Sequence, residues 1–166
     1  MKIVTSILLF LIIFNGCSDK SQNWVILFDG GSVDQWRGYK ESNFPMDGWA
    51  VENGALKTIV GGNRVDIITK DIYENFELVL EWRVSPAGNS GIFYFATEDS
   101  DYIWQTAPEM QVLDDSAHPD GNRAVTSAGS LYALIAPTVN SLKPVGEFNE
   151  ARIKVKNNQV EHWLNG

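Results

Sequence analysis

The run PEMQVLDD places a carboxylate, Glu109, two residues before an amide, Gln111. On an extended chain, side chains two apart share a face about 7 Å from one another. Glu109, Gln111 and Leu113 therefore fall on one face, and Met110 and Val112 on the other, which is assigned to the core. A carboxylate so placed can act as a general acid or base, and a primary amide can orient a hydroxyl by donating and accepting together. The same pattern also describes a solvated outer face of an antiparallel sheet, so the neighbours must decide. Trp104 and Gln105 closely precede Glu109, Glu81 and Arg83 lie on the polar face of FELVLEWRV, and Asn89-Ser90-Gly91 is expected to form a tight turn. Indole, amide, carboxylate and guanidinium on a concave sheet outline a sugar site: the indole stacks on a pyranose face while the polar groups take its hydroxyls.

The chain has two histidines, His118 in the loop segment AHPDGN and His162, which alternates with Val160 and Leu164 on the last expected strand. Taken singly, each fits a surface or satisfied core histidine. Their interest is that imidazole titrates near neutral pH and can move protons. Asp99, Asp101, Asp114 and Asp115 offer hard oxygen ligands suited to Ca²⁺. They lack EF-hand spacing, so solvated acidic loops are the simpler account and no metal or other cofactor is required. Paired histidines at zinc spacing, a Gly-rich phosphate loop and a G-x-S-x-G elbow are absent.

The elements that must position these residues are strands. No helical period persists beyond about two turns, and short alternating runs recur between Gly, Asn and Asp punctuation. Expected strands are WVILF, WAVE and ALKTIV around Asn53-Gly54, VDIIT, FELVLEWRV, IFYFAT, EMQVLD, and the pair ARIKVK and VEHWLN around Asn157-Asn158. In FELVLEWRV, Phe76, Leu78, Leu80, Trp82 and Val84 share one face. Residues 116–149 show little periodicity, and an ordered connection of that length is more often functional than decorative. Strands at this spacing predict an all-β, two-sheet antiparallel jelly-roll sandwich.

Ahead of these strands, Lys2 and an apolar run end in Gly16-Cys17. The run is shorter than the roughly 20 residues needed to span a bilayer and suits an export signal. A small residue before the sole cysteine resembles a bacterial lipobox, with Phe14 an imperfect match. Residues 1–16 are therefore expected to be a lipoprotein signal peptide, Cys17 the lipidated residue and 17–22 a tether, giving an exported, membrane-tethered domain over 23–166. The formal net charge of −8 disfavours nucleic acid and anionic lipid as partners, so membrane association is expected only through the lipid anchor.

The segments LFDGGSVDQWRG, GNSGIFYF, WQTAPEMQVLDD, HPDGNR, AGSLYALI and VEHWLNG together resemble the 3-keto-disaccharide hydrolase family over about Trp24 to Gly166. The resemblance implies a concanavalin A-like fold and cleavage of glycosides that a partner dehydrogenase has oxidised at C3. It places Glu109 and Gln111 on the strand that carries catalytic acids in related glucanases, with an amide where a second carboxylate is expected. It also implies that Glu109 or His162 is a base for the C2 proton. Gln111 and Arg123 would stabilise the resulting oxyanion, and His118 would serve the leaving group. Trp104, Gln105, Glu81, Arg83, Asn89, Ser90, Asn122, Arg123 and Tyr132 would contact substrate. Phe95 departs from an Arg, and Ala133 from the Asp of a G-S-L-Y-D-L pattern. Relatives also continue beyond the residue matching Gly166, so closing strands are expected to be missing. A non-catalytic sugar-binding module and a conventional glycosidase are the alternatives, the latter disfavoured by Gln111.

Overall fold

The computed structural model describes residues 24–166; the expected signal peptide, Cys17 and the tether lie outside them. Nine strands follow in order: β1 (Trp36–Gly38), β2 (Trp49–Glu52), β3 (Ala55–Thr58), β4 (Ile67–Thr69), β5 (Phe76–Trp82), β6 (Asn89–Phe93), β7 (Glu109–Leu113), β8 (Asn149–Lys156) and β9 (Gln159–Leu164). The other regular elements among the described residues are three short 3-10 turns. All ladders are antiparallel: β1 with β4, β2 with β3, β6 with β7, and a three-stranded sheet in the order β5-β8-β9.

Two hairpins follow from their turn residues. Asn53 and Gly54 have φ of 53° and 75°, and Asn157 and Asn158 have 50° and 62°. Positive φ at both central positions matches the twist of the flanking strands, and Asn and Gly adopt it at least cost. The three-stranded sheet shows clean alternation: Ala151, Ile153 and Val155 are buried, while Glu150, Arg152 and Lys154 are exposed. On that outer face Arg152 pairs with Glu77 at 3.1 Å.

The inner face packs against β6 and β7, with Ile153 and Val155 joining Met110, Val112 and Tyr94 in one cluster. This is a two-layer, all-β sandwich. Residues 129–132 run along the free edge of β7: Gly129 N donates to Gln111 O at 2.9 Å, Gln111 N to Ser130 O at 3.1 Å, and Tyr132 N to Glu109 O at 3.0 Å. β7 thus has hydrogen-bonded neighbours on both sides, and Met110 through Leu113 are all buried.

Three expectations need correction. WVILF is not a strand; Trp24, Val25 and Ile26 are exposed, and the run is held instead by Trp36 Nε1 donating to Leu27 O at 2.7 Å. An apolar alternating run becomes a strand only where an edge is free to pair with it. Asn89-Ser90-Gly91 is not a turn but the start of β6, paired with Leu113, Val112 and Gln111. The reversal lies earlier, where Gly88 N donates to Ser85 O at 2.8 Å. Finally, Gln111 does not stand on an open face, being 1% exposed.

Ile153 is 1% exposed at the centre of the packed layer. Ile153→Ala should cost about 2–5 kcal/mol through lost burial and a residual cavity. Denaturant unfolding should show a lower midpoint with an unchanged slope.

Candidate active site

Glu109 opens β7 opposite Phe93, and Gly91 lies two residues along β6 on the same face. Its side chain lies flat over Gly91. A Cβ built at Gly91 would stand 1.9 Å from Glu109 Oε1 and 2.6 Å from Cδ, so only glycine leaves room for the carboxyl group in that place. An isolated glycine within a strand marks such close approaches. Burial, and then the like charges of Asp66 and Asp120, push the Glu109 carboxyl up to about 7. A carboxylate that titrates near neutrality can take a proton and also return it.

The long loop supplies the groups around it. His118, Asp120 and Tyr132 form a linked set: Asp120 N donates to His118 Nδ1 at 3.2 Å, and Tyr132 Oη donates to Asp120 Oδ2 at 3.2 Å. The turn is fixed further by Asp120 O, which accepts from Thr126 Oγ1 at 2.6 Å and from Arg123 N at 3.3 Å. Asn89, next but one to Gly91 on β6, brings its side-chain amide to 3.4 Å from His118 Nε2. Burial and the carboxylates of Asp120 and Glu109 push the Tyr132 hydroxyl up, while Arg123 pulls it down. The site therefore contains Glu109, His118, Asp120, Tyr132, Asn89 and Arg123, with Asp66 near enough to act on Glu109.

Other expected residues lie elsewhere. His162 pairs with Ile153 on the core face, and its Nε2 is 3.2 Å from Tyr94 Oη. Burial pulls its pKa down while a Gly129 backbone contact raises it. It therefore packs between the layers, whereas Glu109 and Gly91 occupy the opposite face of β7 and β6. Glu81 pairs with Glu150 on the exposed face of the other sheet, and Arg83 sits 4.8 Å over the Phe148 ring; neither joins Glu109. Gln111 turns its Oε1 to Val112 N at 3.1 Å, a local bond rather than one offered to a ligand. Ser90 is exposed and points to the face opposite Gly91 by strand alternation. Asn122 caps its own turn through Pro119 O at 3.0 Å.

Trp104 is 61% exposed and stacks on Tyr102 with centroids 5.6 Å apart and 13° between planes. Gln105 braces that turn, its Oε1 accepting from Tyr102 N at 3.0 Å. Asp114 and Asp115 also serve structure: Asp114 accepts from Ala87 N and the Ser116 backbone N–H, and Asp115 from Ala128 N. No group of three or more His, Cys, Asp or Glu suited to a metal ion occurs among the described residues. An open groove of about 700 Å³ lies between Trp82, Leu113, Asp114, Lys143 and Asn149. Asp114, Asp115 and Lys143 on its wall are engaged in backbone bonds, Lys143 Nζ donating to Phe148 O at 2.8 Å, and Glu109 does not line it.

A family described as a 3-keto-alpha-glucoside-1,2-lyase-like domain matches residues 23–166. The chain belongs to this family. It is 37% identical over 165 residues to a protein from Bacteroides thetaiotaomicron named 3-keto-disaccharide hydrolase; the match takes in 87% of this chain and 57% of that one. The chain thus spans little more than half of that relative's length. Among solved structures, two Parabacteroides distasonis proteins provisionally named as glycosyl hydrolases are similar. One has 31% identity and a TM-score of 0.76, covering 86% of this chain and 68% of that one. The other has 27% identity and a TM-score of 0.64, covering 80% and 69%.

The two expected departures, Phe95 and Ala133, lie where the backbone is left-handed, at φ 57° and 60°. Asp and Asn adopt that region more readily than Ala, so the Asp that the resemblance implies would suit position 133 better than the alanine here. Asp66, Asp120 and the role of Gly91 were not found from sequence. The signals available were the glycine inside a strand and the P-D-G turn after His118.

Unfolded Glu109 loses its proton near 4.5 and the folded residue near 7, so within that window the native state binds more protons and stability falls as pH rises. Glu109→Gln should therefore be more stable than wild type above pH 7 and nearly equal to it below 4.5, read as thermal midpoints across pH. Gly91→Ala should expel the carboxyl into water and return its titration toward the ordinary carboxylate range, followed by NMR of the side-chain carboxyl carbon. An unchanged titration in Gly91→Ala would mean that the glycine does not shape the site.

Proposed function

We propose that this chain is the catalytic part of an enzyme that cleaves 3-keto-glycosides, with Glu109 as the base. The observation that carries this is the Glu109 carboxyl lying over Gly91 and titrating near 7. The family description, a 1,2-lyase-like domain, and the relative named for 3-keto-disaccharide hydrolysis support the same substrate class.

The chemistry follows from the substrate's own carbonyl. A ketone at C3 acidifies the C2 proton, and the Glu109 carboxylate removes it to give an enolate. The enolate electrons then form the C1–C2 double bond as the C1–O bond breaks, and the departing oxygen takes a proton. Water adds at C1 and a proton returns to C2, so the net change is hydrolysis. His118, linked through Asp120 to Tyr132 beside Glu109, supplies the hydrogen bond or proton to oxygen, and Arg123 offers positive charge beside a developing oxyanion. Because Gln111 is bonded within its own strand and His162 is bonded to Tyr94, neither takes a direct part. A C3 ketone requires an oxidoreductase acting earlier on the sugar's C3 hydroxyl.

A conventional glycosidase regains some ground, because Asp66 and Asp120 bring to Glu109 the carboxylate company that Gln111 denies it. Incubation with a glucoside and with its 3-keto form separates the readings. Aglycone release from the keto form alone is expected; release from the plain glucoside would mean an ordinary glycosidase, and binding without release a sugar-binding module. Glu109→Gln should lower turnover about 10²–10⁴-fold. Because the base works ionised, kcat/KM should rise with pH and level off above about 7. A profile that falls through this range would make Glu109 an acid instead.

A further inference from the structure

We propose that Tyr132, acting through Asp120, keeps the hydrogen of the neutral His118 ring on Nε2 rather than Nδ1. The inference rests on the site proposed above, and it assigns Tyr132 and Asp120 as positioning residues.

The hydrogen-bond directions fix the tautomer. The Asp120 backbone N–H can only donate, and it meets His118 Nδ1 at 3.2 Å, so Nδ1 must present a lone pair. A neutral ring then carries its hydrogen on Nε2, the nitrogen facing Asn89. It is the Asn89 amide nitrogen, Nδ2, that stands 3.4 Å from Nε2; a hydrogen on Nε2 calls for the amide to rotate by about 180° and bring its oxygen there, and the contact is long enough for a substrate oxygen to share or replace it.

One group opposes this state. Asp120 Oδ2 lies 3.8 Å from Nδ1, and a carboxylate that close favours a hydrogen on Nδ1. The same Oδ2 accepts from Tyr132 Oη at 3.2 Å. By donating to this oxygen, the tyrosine weakens the pull that would otherwise draw the hydrogen to the wrong side of the ring. The turn cannot easily relax, because Pro119 opens it and Thr126 Oγ1 and Arg123 N hold the Asp120 carbonyl. The other charged groups on this cluster are Glu109 from β7 and Arg123 from the loop, both acting on Tyr132. A fixed Nε2–H gives the site one neutral donor beside a base, the separation of roles that proton abstraction with departure of an oxygen requires.

Long-range ¹H–¹⁵N correlation spectra of the His118 ring test this in the ¹⁵N-labelled protein at mildly alkaline pH. Wild type should show Nδ1 unprotonated and the hydrogen on Nε2. Tyr132→Phe frees the Asp120 carboxylate and should shift the population toward Nδ1–H. Asp120→Asn keeps the backbone donor and removes the carboxylate, so it should retain Nε2–H, alone and combined with Tyr132→Phe. A wild-type ring with its hydrogen on Nδ1 would overturn the proposal, as would a Tyr132→Phe spectrum equal to wild type. If Tyr132→Phe fails to fold, a loss of Nε2–H in Asp120→Asn is contrary to the proposal and its retention supports the backbone lock. No substrate enters the measurement, so its failure is distinct from failure of the 3-keto-glycoside assay.

Discussion

A carboxyl group lying across a glycine is the contact on which the rest of the site depends. Strand residues two apart normally fill their shared face with side chains, so a carboxyl at Glu109 would be pushed outward by any neighbour larger than Gly91. With no Cβ beneath it, the group settles against the sheet, loses water and gains the company of Asp66 and Asp120. Desolvation and like charge both oppose ionisation, and together they bring an ordinary glutamate to the range where it can exchange protons at neutral pH. The sandwich holds this arrangement still: β7 is paired on both edges, and its next four residues are buried.

The loop after β7 depends on the same strand. Residues 129–132 pair with β7, placing Tyr132 directly beside Glu109, and the preceding turn then sets Asp120 and His118 within reach. Asp114 and Asp115, which look like metal ligands on paper, instead accept from backbone N–H groups that tether the loop to the β5–β6 connection and to Ala128. A connection that lacks periodicity is thus an ordered part of the site, held by backbone bonds rather than by an apolar face of its own. The stacked Tyr102–Trp104 pair, braced by Gln105, precedes Glu109 by only a few residues.

Much of the fold was legible because it depends on local rules. The alternation of β5 and β8 and the Asn-rich turns of two hairpins name their elements without knowledge of partners. WVILF failed because a strand also needs a free edge, which its own residues do not reveal. The candidate site was legible at Glu109 through strand spacing, at Asn89 and His118 through residue type and neighbours, and at Arg123 and Tyr132 through the family resemblance. Glu81, Arg83 and His162 were misplaced because period two gives the face of a strand but not which layer that face meets. Asp66 and Asp120 were missed because Coulomb interactions act through space between distant segments, and Gln111 looked available because burial by the 129–132 segment cannot be read from β7.

The central claim is that Glu109 removes the C2 proton before the glycosidic bond breaks. The direct measurement compares aglycone release from a 3-keto-glucoside carrying hydrogen at C2 with release from one carrying deuterium there. The account predicts slower release from the deuterated substrate and loss of deuterium from the sugar product. Equal rates with the deuterium fully retained at C2 would contradict it.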